Sequence, residues 1–334
     1  MTTSASLLLS PSLAFGLSWV VLAAILRPGI ARHLAMDQPN QRSLHCQPVP
    51  RSGGIAIVLA TLGAWSLSQR PDPLLMLLAV ALAGISYADD WKGLPVGVRL
   101  AAHGLAATVL VWSELAGHNP DYWLATALVV YIVWMTNAYN FMDGADGLAG
   151  GMALFGFSAY GLAACSMPAE SLAVICFTVA AAAAGFLPFN FPPAKIFMGD
   201  VGAIPLGFLA AVLGLMGWQQ AAWPLWFPLL VFSPFLADAS MTLLRRMVRG
   251  EHFWQAHKEH YYQRLIRMGW GHRRTALAEY LLMAAVTASA LVGLHGAAQV
   301  QIALLLTWVL IFAGLMLAID RSWRRFLHVV DEAR

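Results

Sequence analysis

The chain has 334 residues, of which 59% are hydrophobic and 11% charged, with a formal net charge of +3 at pH 7. A soluble domain carries about 25% charged residues, so this composition excludes an ordinary soluble protein and describes an all-α, polytopic membrane bundle. Three scattered cysteines, Cys46, Cys165 and Cys176, suit neither a disulfide framework nor a zinc cluster.

A bilayer is crossed by about 17–25 apolar residues. That length predicts about eleven spans, near 6–26, 53–68, 73–88, 99–117, 122–138, 148–166, 170–187, 202–218, 223–242, 276–295 and 300–319. The first apolar run has no basic segment before it, so it reads as a span rather than a cleaved signal peptide. No internal repeat or low-complexity linker interrupts the pattern, and 1–334 reads as one domain.

Basic residues then set the orientation. Arg27, Arg32, Arg42 and Arg51 flank the first loop, Lys92 and Arg99 the third, and Lys195 lies in the seventh. Arg245 to Arg274 supply eight basic residues to the ninth, and Arg321, Arg324, Arg325 and Arg334 form the tail. An N-terminus outside and a C-terminus in the cytoplasm put all of these on one side, with Arg70 opposite. The same parity carries Asp89-Asp90, Asn137 to Gly147, Asn190 to Gly202 and His257 to Arg264 to the cytoplasmic face.

In the first loop Arg42, Ser43, His45 and Arg51 suit phosphate, although a basic loop also serves topology alone. Asp89 and Asp90 end the third span. Adjacent carboxylates repel unless a cation or proton offsets them, and a helix C-terminus is the wrong end of the dipole for anions. Lys92 and Arg99 stand nearby as counter-charges.

The stretch Asn137-Ala-Tyr-Asn-Phe-Met-Asp-Gly-Ala-Asp-Gly147 sets two amides and two carboxylates between apolar runs. Asn137 and Asn140 share a helix face, and Asp143 and Asp146 hang from a glycine-rich turn. An ionised Asp at a bilayer centre costs about 2.5–3.5 kcal/mol on insertion scales, so these carboxylates face water, a metal or a substrate. The seventh loop offers Asn190 and Lys195 as hydrogen-bonding and phosphate-type groups, and Phe197 to stack on a base. Asp200 lies between Gly199 and Gly202, which permit close approach of a ligand; Asp200 also suits a helix N-cap. Asp238, inside the ninth span, reads as a structural partner of Thr242 or of an arginine such as Arg245. His257, His260, Arg264 and Arg267 recur at i, i+3, i+7 and i+10, one face of a helix. That face suits phosphate, or a basic helix lying on anionic lipid.

Five carboxylates, Asp89, Asp90, Asp143, Asp146 and Asp200, come from three loops on one side. Oxygen-rich ligation without cysteine favours Mg²⁺, or Mn²⁺, over zinc. A Mg²⁺ ringed by Lys, Arg and His fits phosphate chemistry, and the membrane setting makes one substrate a lipid.

These residues resemble the polyprenyl-phosphate N-acetylhexosamine-1-phosphate transferases, which include the phospho-N-acetylmuramoyl-pentapeptide transferase and the bacterial enzymes that start O-antigen assembly. The resemblance runs from about Asp37 to Arg274 through D-x-P-N-x-R-S, P-x-P-R-x-G-G, D-D, N-x-x-N-x-x-D-G-x-D-G-L, F-M-G-D-x-G and H-x-x-H. It implies transfer of a sugar 1-phosphate from a UDP-sugar to undecaprenyl phosphate, with release of UMP, at the cytoplasmic side of a bacterial inner membrane. It implies Asp200 and Asp143 as metal ligands, and Asp89 and Asp90 as the catalytic pair, with Asp143, His257 and His260 completing the catalytic set. It places Asn137, Asn140, Asp146, Asn190, Lys195 and Phe197 toward the nucleotide sugar, and His257 and His260 toward the phosphates, with Arg42, Ser43 and Arg264 as phosphate contacts. A homodimer is compatible with it, and no nucleic-acid partner is expected.

The segment His257-Lys-Glu-His-Tyr-Tyr-Gln-Arg-Leu departs from the triple histidine of the peptidoglycan enzyme, and Lys92 sits one position closer to the aspartate pair. This form looks more like the surface-polysaccharide branch, including enzymes that take N-acetylated 6-deoxyhexosamines. The competing readings are the peptidoglycan enzyme itself, a transporter with carboxylate ion sites, and a CDP-alcohol phosphotransferase, whose Asp/Gly/Arg pattern is absent.

Overall fold

The computed structural model describes residues 3–31, 35–37, 48–68, 71–115, 121–167, 169–252 and 257–332. Arg42, Ser43 and His45 lie outside the described residues.

The described residues are mostly helical: α1 (Thr3–Ile25), α2 (Pro28–Ala31), α3 (Gly54–Ser68), α4 (Pro73–Lys92), α5 (Val96–Leu115), α6 (Tyr122–Phe141), α7 (Leu148–Cys165), α8 (Glu170–Asn190), α9 (Asp200–Gln219), α10 (Trp226–Val231), α11 (Ser233–Val248), α12 (Tyr261–Leu265), α13 (Gly271–Gly293) and α14 (Ala298–Glu332). A π-helical turn, Ile266–Trp270, links α12 to α13. Between α2 and α3, β1 (Met36–Asp37) and β2 (Val49–Pro50) pair antiparallel, Met36 opposite Pro50.

Nine helices among the described residues are long and apolar enough to cross a membrane, and each falls on an expected span. The protein is a multi-pass membrane protein. Two expected spans differ. The second, α3, has 15 residues and is about 22 Å long, shorter than a bilayer core of about 30 Å. The ninth is broken at Phe232 into α10 and α11. Pro234 explains the break, because it cannot donate a backbone hydrogen bond to the preceding turn and sits instead in the first turn of α11.

α9 is the central helix. It is buried from Val201 to Leu215 and packs against α4, α6 and α3. Its N-terminus meets that of α3 backbone to backbone: a Cβ on Gly54 would lie 2.3 Å from the Gly202 Cα. Small residues at a helix crossing let two backbones approach this closely. The approach expected of a ligand at Gly202 is thus made by the protein's own chain, and the Arg51 backbone meets Gly199 beside it. By contrast α14 shows apolar side chains outward along its length, among them Leu306, Leu310 and Leu315. A lipid-facing helix is expected to look like this.

Candidate active site

The carboxylates stand where α4 and α6 end around the start of α9. Asp89 and Asp90 are buried in the last turn of α4, which closes at Gly93 in the left-handed conformation. The Asp89 carboxylate accepts hydrogen bonds from Leu94 N (2.5 Å) and from Arg99 Nη1 (2.9 Å). The Asp90 carboxylate lies 3.3 Å from Arg51 Nη2 and accepts from Val201 N at 3.3 Å. Asp90 therefore caps α9 from another helix. Asp200 does not cap its own helix; its carboxylate lies 3.6 Å from Arg99 Nη1 and in hydrogen-bonding contact with Asp89. The capping role open to Asp200 in the sequence is thus filled by Asp90, which leaves the Asp200 carboxylate available. Gly199, at φ 72°, makes the junction possible, since a Cβ there would lie 2.2 Å from the Arg51 carbonyl oxygen.

Asp143 joins this group from the loop after α6 and accepts from Gly199 N. Its carboxyl is pushed well above the usual range, first by removal from water and then by the Asp200 and Asp90 charges. Among the described residues no basic side chain pairs with Asp143. Four carboxylates thus meet two guanidiniums, and two of the carboxyls touch. That arrangement holds only with a proton or a cation between them. Among the described residues, no three His, Cys, Asp or Glu side chains already surround a single metal position. The groups able to supply oxygen ligands are Asp200, Asp143, Asp89 and Asp90.

Asp146 lies one turn further along the same loop. Its carboxylate accepts from Ala194 N at 3.0 Å and lies 3.2 Å from His272 Nδ1. Asn190 uses its amide to join two loops, accepting from Gly147 N (2.9 Å) and donating to the Ile196 carbonyl (2.9 Å). Both polar ends of Asn190 are therefore engaged within the protein. Lys195 is exposed and Phe197 half-buried. Phe197 is pinned by its backbone, donating to Pro50 O and accepting from Gly53 N.

From the carboxylates a groove of about 590 Å³ runs between α5, α6, α9 and α11. Arg99, Asp200, Asn137, Asn140, His257 and His260 line its polar end, and Val96, Leu100, Val129, Val130, Ile204 and Leu243 its apolar length. Asn137 and Asn140 do share one helix face, as their spacing required. Asn137 lies 3.3 Å from His103 Nδ1, a buried histidine that belongs to no motif and that the sequence reading passed over. Arg51 and Arg99, read there as basic-loop and counter-charge residues, are the cations of the cluster. His272 was likewise not singled out.

The histidine segment corrects the expected helix. His257 and His260 precede α12, and His260 is its N-cap at φ −57°, ψ 148°. The four-residue face from His257 to Arg267 does not form. The histidines face the groove while the arginines turn toward α14. Arg264 donates to Asp320 (2.8 Å) and lies over the Tyr261 ring, and Arg267 lies over Trp323. Arg245 also bonds Asp320 rather than Asp238.

A family model described as glycosyl transferase family 4 matches residues 73–218. A probable undecaprenyl-phosphate N-acetylglucosaminyl 1-phosphate transferase of Bacillus subtilis is 30% identical over 278 residues, 77% of each chain. The chain belongs to glycosyl transferase family 4. A decaprenyl-phosphate N-acetylglucosaminephosphotransferase of Mycobacterium tuberculosis is 32% identical over 300 residues, covering 74% of this chain and 72% of its own. A phospho-N-acetylmuramoyl-pentapeptide-transferase of Staphylococcus aureus is 27% identical over 294 residues, 79% and 90% of the two chains. This family 4 transferase is therefore a membrane-embedded phosphosugar transferase, and the transporter reading is overturned.

Proposed function

We propose that the transferase moves an N-acetylated hexosamine 1-phosphate, a 6-deoxyhexosamine among the candidates, from a UDP-sugar to undecaprenyl phosphate. UMP is released, and the reaction is the first membrane step of O-antigen or related surface-polysaccharide assembly, at the cytoplasmic face of a bacterial inner membrane. The observation that carries this reading is a carboxylate cluster at the mouth of an apolar groove between helices long enough to cross a membrane. One end suits charged phosphates and the other an isoprenoid chain.

The donor set fits a divalent cation: it is all oxygen, holds more negative than positive charge, and keeps Asp143 short of a counter-ion. Asp200 and Asp143 would hold it, and a bound Mg²⁺ would neutralise the pyrophosphate. The chain's own groups do the rest. A lipid phosphate monoester has a second pKa near 6 and is largely dianionic at neutral pH, so it needs little help from a base. Its oxygen attacks the β-phosphorus of the UDP-sugar. A new P–O bond forms to the lipid, the bond to the bridging oxygen breaks, and UMP takes that oxygen. Asp89 orients the lipid phosphate or takes a residual proton. His257 and His260 stand at the groove end where phosphates meet. Asn137 and Asn140 offer amides to the sugar side.

The test is radiolabel transfer by purified protein with undecaprenyl phosphate, Mg²⁺ and a panel of UDP-N-acetylhexosamines. Transfer that disappears in EDTA and in Asp200→Asn supports the reading and names the sugar. Transfer only from UDP-N-acetylmuramoyl-pentapeptide would replace it with the peptidoglycan reaction.

A further inference from the structure

Asp238 lies outside every motif that points to the reaction, yet it is among the most heavily bonded carboxylates of the chain. It sits on α11, buried, one residue before Ala239, which lines the groove. One oxygen accepts from Tyr261 N (2.9 Å) and Thr242 Oγ1 (3.0 Å) and faces His260 Nδ1 (3.1 Å). The other accepts from Tyr262 N at 3.0 Å. A hydroxyl partner one turn along the same helix was legible in the sequence. Two backbone N–H groups and an imidazole from a segment more than twenty residues away were not.

The two backbone bonds decide the protonation pattern. Each carboxylate oxygen already accepts from a peptide N–H, and an ionised carboxylate has only acceptors to offer. The Gln263 backbone N–H also reaches the His260 side chain in a capping box, but a carboxylate is the stronger partner, and the ring nitrogen facing it then carries the hydrogen. This assignment follows from the network, as tautomers generally do. The ring is further held by stacking on Tyr262 (centroids 5.8 Å apart, 17° between planes) and on Phe141 (6.1 Å, 29°). His257 stands 4.8 Å away. With Nδ1 committed to Asp238, only Nε2 is left for the groove that His260 lines.

We infer that Asp238 is a positioning residue of the transfer site: it fixes His260 in the Nδ1–H form, so that Nε2 is presented to the phosphates in the groove. The carboxylate thus sets both the place of the histidine, by anchoring the first turn of α12, and its tautomer. Carboxylate partners fix the tautomer of working histidines in this way in other settings. The inference rests on the proposed placement of His260 at the phosphates, and its test separates the two.

The experiment is a double-mutant cycle with a spectroscopic arm, on the full-length protein in detergent or nanodiscs. Asp238→Asn keeps size but offers an NH₂ where an acceptor is needed. Its kcat is expected to fall about 10–100-fold, with KM for the UDP-sugar and UDP binding unchanged. His260→Gln is expected to fall at least as far, and Asp238→Asn added to it should cost nothing more. If the two losses multiply, Asp238 acts on the fold rather than through His260, and the inference is overturned. If His260→Gln keeps full activity, the placement of His260 at the phosphates fails. The second arm then decides alone, as it does if Asp238→Asn fails to fold. In that arm ¹⁵N chemical shifts of the wild-type His260 ring, assigned by the His260→Gln difference, are read where the ring is neutral. The Nδ1–H pattern supports the inference, and an Nε2–H pattern overturns it.

Discussion

Two clusters of ionisable residues at the helix ends treat charge in opposite ways. Around the start of α9, Asp89, Asp90, Asp143 and Asp200 crowd together with two arginines for counter-charge. Around α12, Asp320, Glu259 and Glu251 each have guanidinium partners: Arg245 and Arg264 share Asp320, and Arg246 and Arg249 hold Glu259 and Glu251. A region whose carboxylates are paired in this way holds structure together. A region with charge left over has electrostatic energy to give to a ligand. The difference separates a binding surface from a scaffold although both are rich in ionisable residues.

The sharpest way to break the comparison is to remove charge at the crowded end. Asp200→Asn leaves the shape and deletes one carboxylate. Transfer is expected to fall by about 10²–10³-fold or more, the usual cost of one preorganised electrostatic group. The folded protein should be no less stable, because repulsion is relieved. The readouts are radiolabel transfer and thermal unfolding. A variant that loses stability and keeps activity would reverse the roles assigned to the two ends.

The opposite change at the balanced end gives the opposite pattern. Asp320→Asn leaves two guanidiniums, one of them on the buried Arg264, without their shared carboxylate. Breaking a buried pair by removing one partner costs roughly 3 kcal/mol. The melting temperature is expected to drop several degrees, and Asp320→Asn that still folds should transfer sugar phosphate at a near-normal rate.

The same contrast explains what could be read from the chain. The aspartate motifs were legible because their residue types are hard to place near lipid for any other reason. Asp143 and Asp200 were identifiable as site candidates before any coordinates. Periodicity supplied the spans of α4 to α9. Periodicity misled at His257 to Arg267, because a spacing of three and seven says nothing about where a helix starts. His260 is an N-cap, and Gly269 at φ 97° interrupts the path into α13. Asp238 and His103 were not legible as site neighbours, since their partners come from other elements. The Gly54–Gly202 crossing was visible only as glycines, not as a contact.

That crossing supplies a prediction of intermediate size. Gly54→Ala puts a methyl group within 2.3 Å of backbone that cannot rotate away. Overpacking of this sort costs about 1–3 kcal/mol, and here the strain falls on the junction where Gly199 meets the Arg51 carbonyl and Arg51 reaches Asp90. Stability and transfer should fall together. Gly63→Ala is the control, further along α3, where the nearest atom is a Leu17 methyl at 3.5 Å; it should leave both unchanged.

The smallest effect expected is a pH dependence centred on His257, at the polar end of the groove. His257 is pushed down from 6.5 to about 4, first by burial and then by His260 and Arg246, against the pull of Glu259 and Asp238. Above pH 6.5 it is neutral in both folded and unfolded chains and contributes nothing to the balance. Between 6.5 and about 4 the unfolded chain takes up a proton that the folded chain refuses, so stability rises with pH across that window and is lost as pH falls through it. His257→Gln removes the refusal. Its melting temperature should decline less than that of the wild type between pH 7 and pH 5. An unchanged slope would mean that His257 charges freely in the folded protein, and that the balanced end is more open to water than its ion pairs imply.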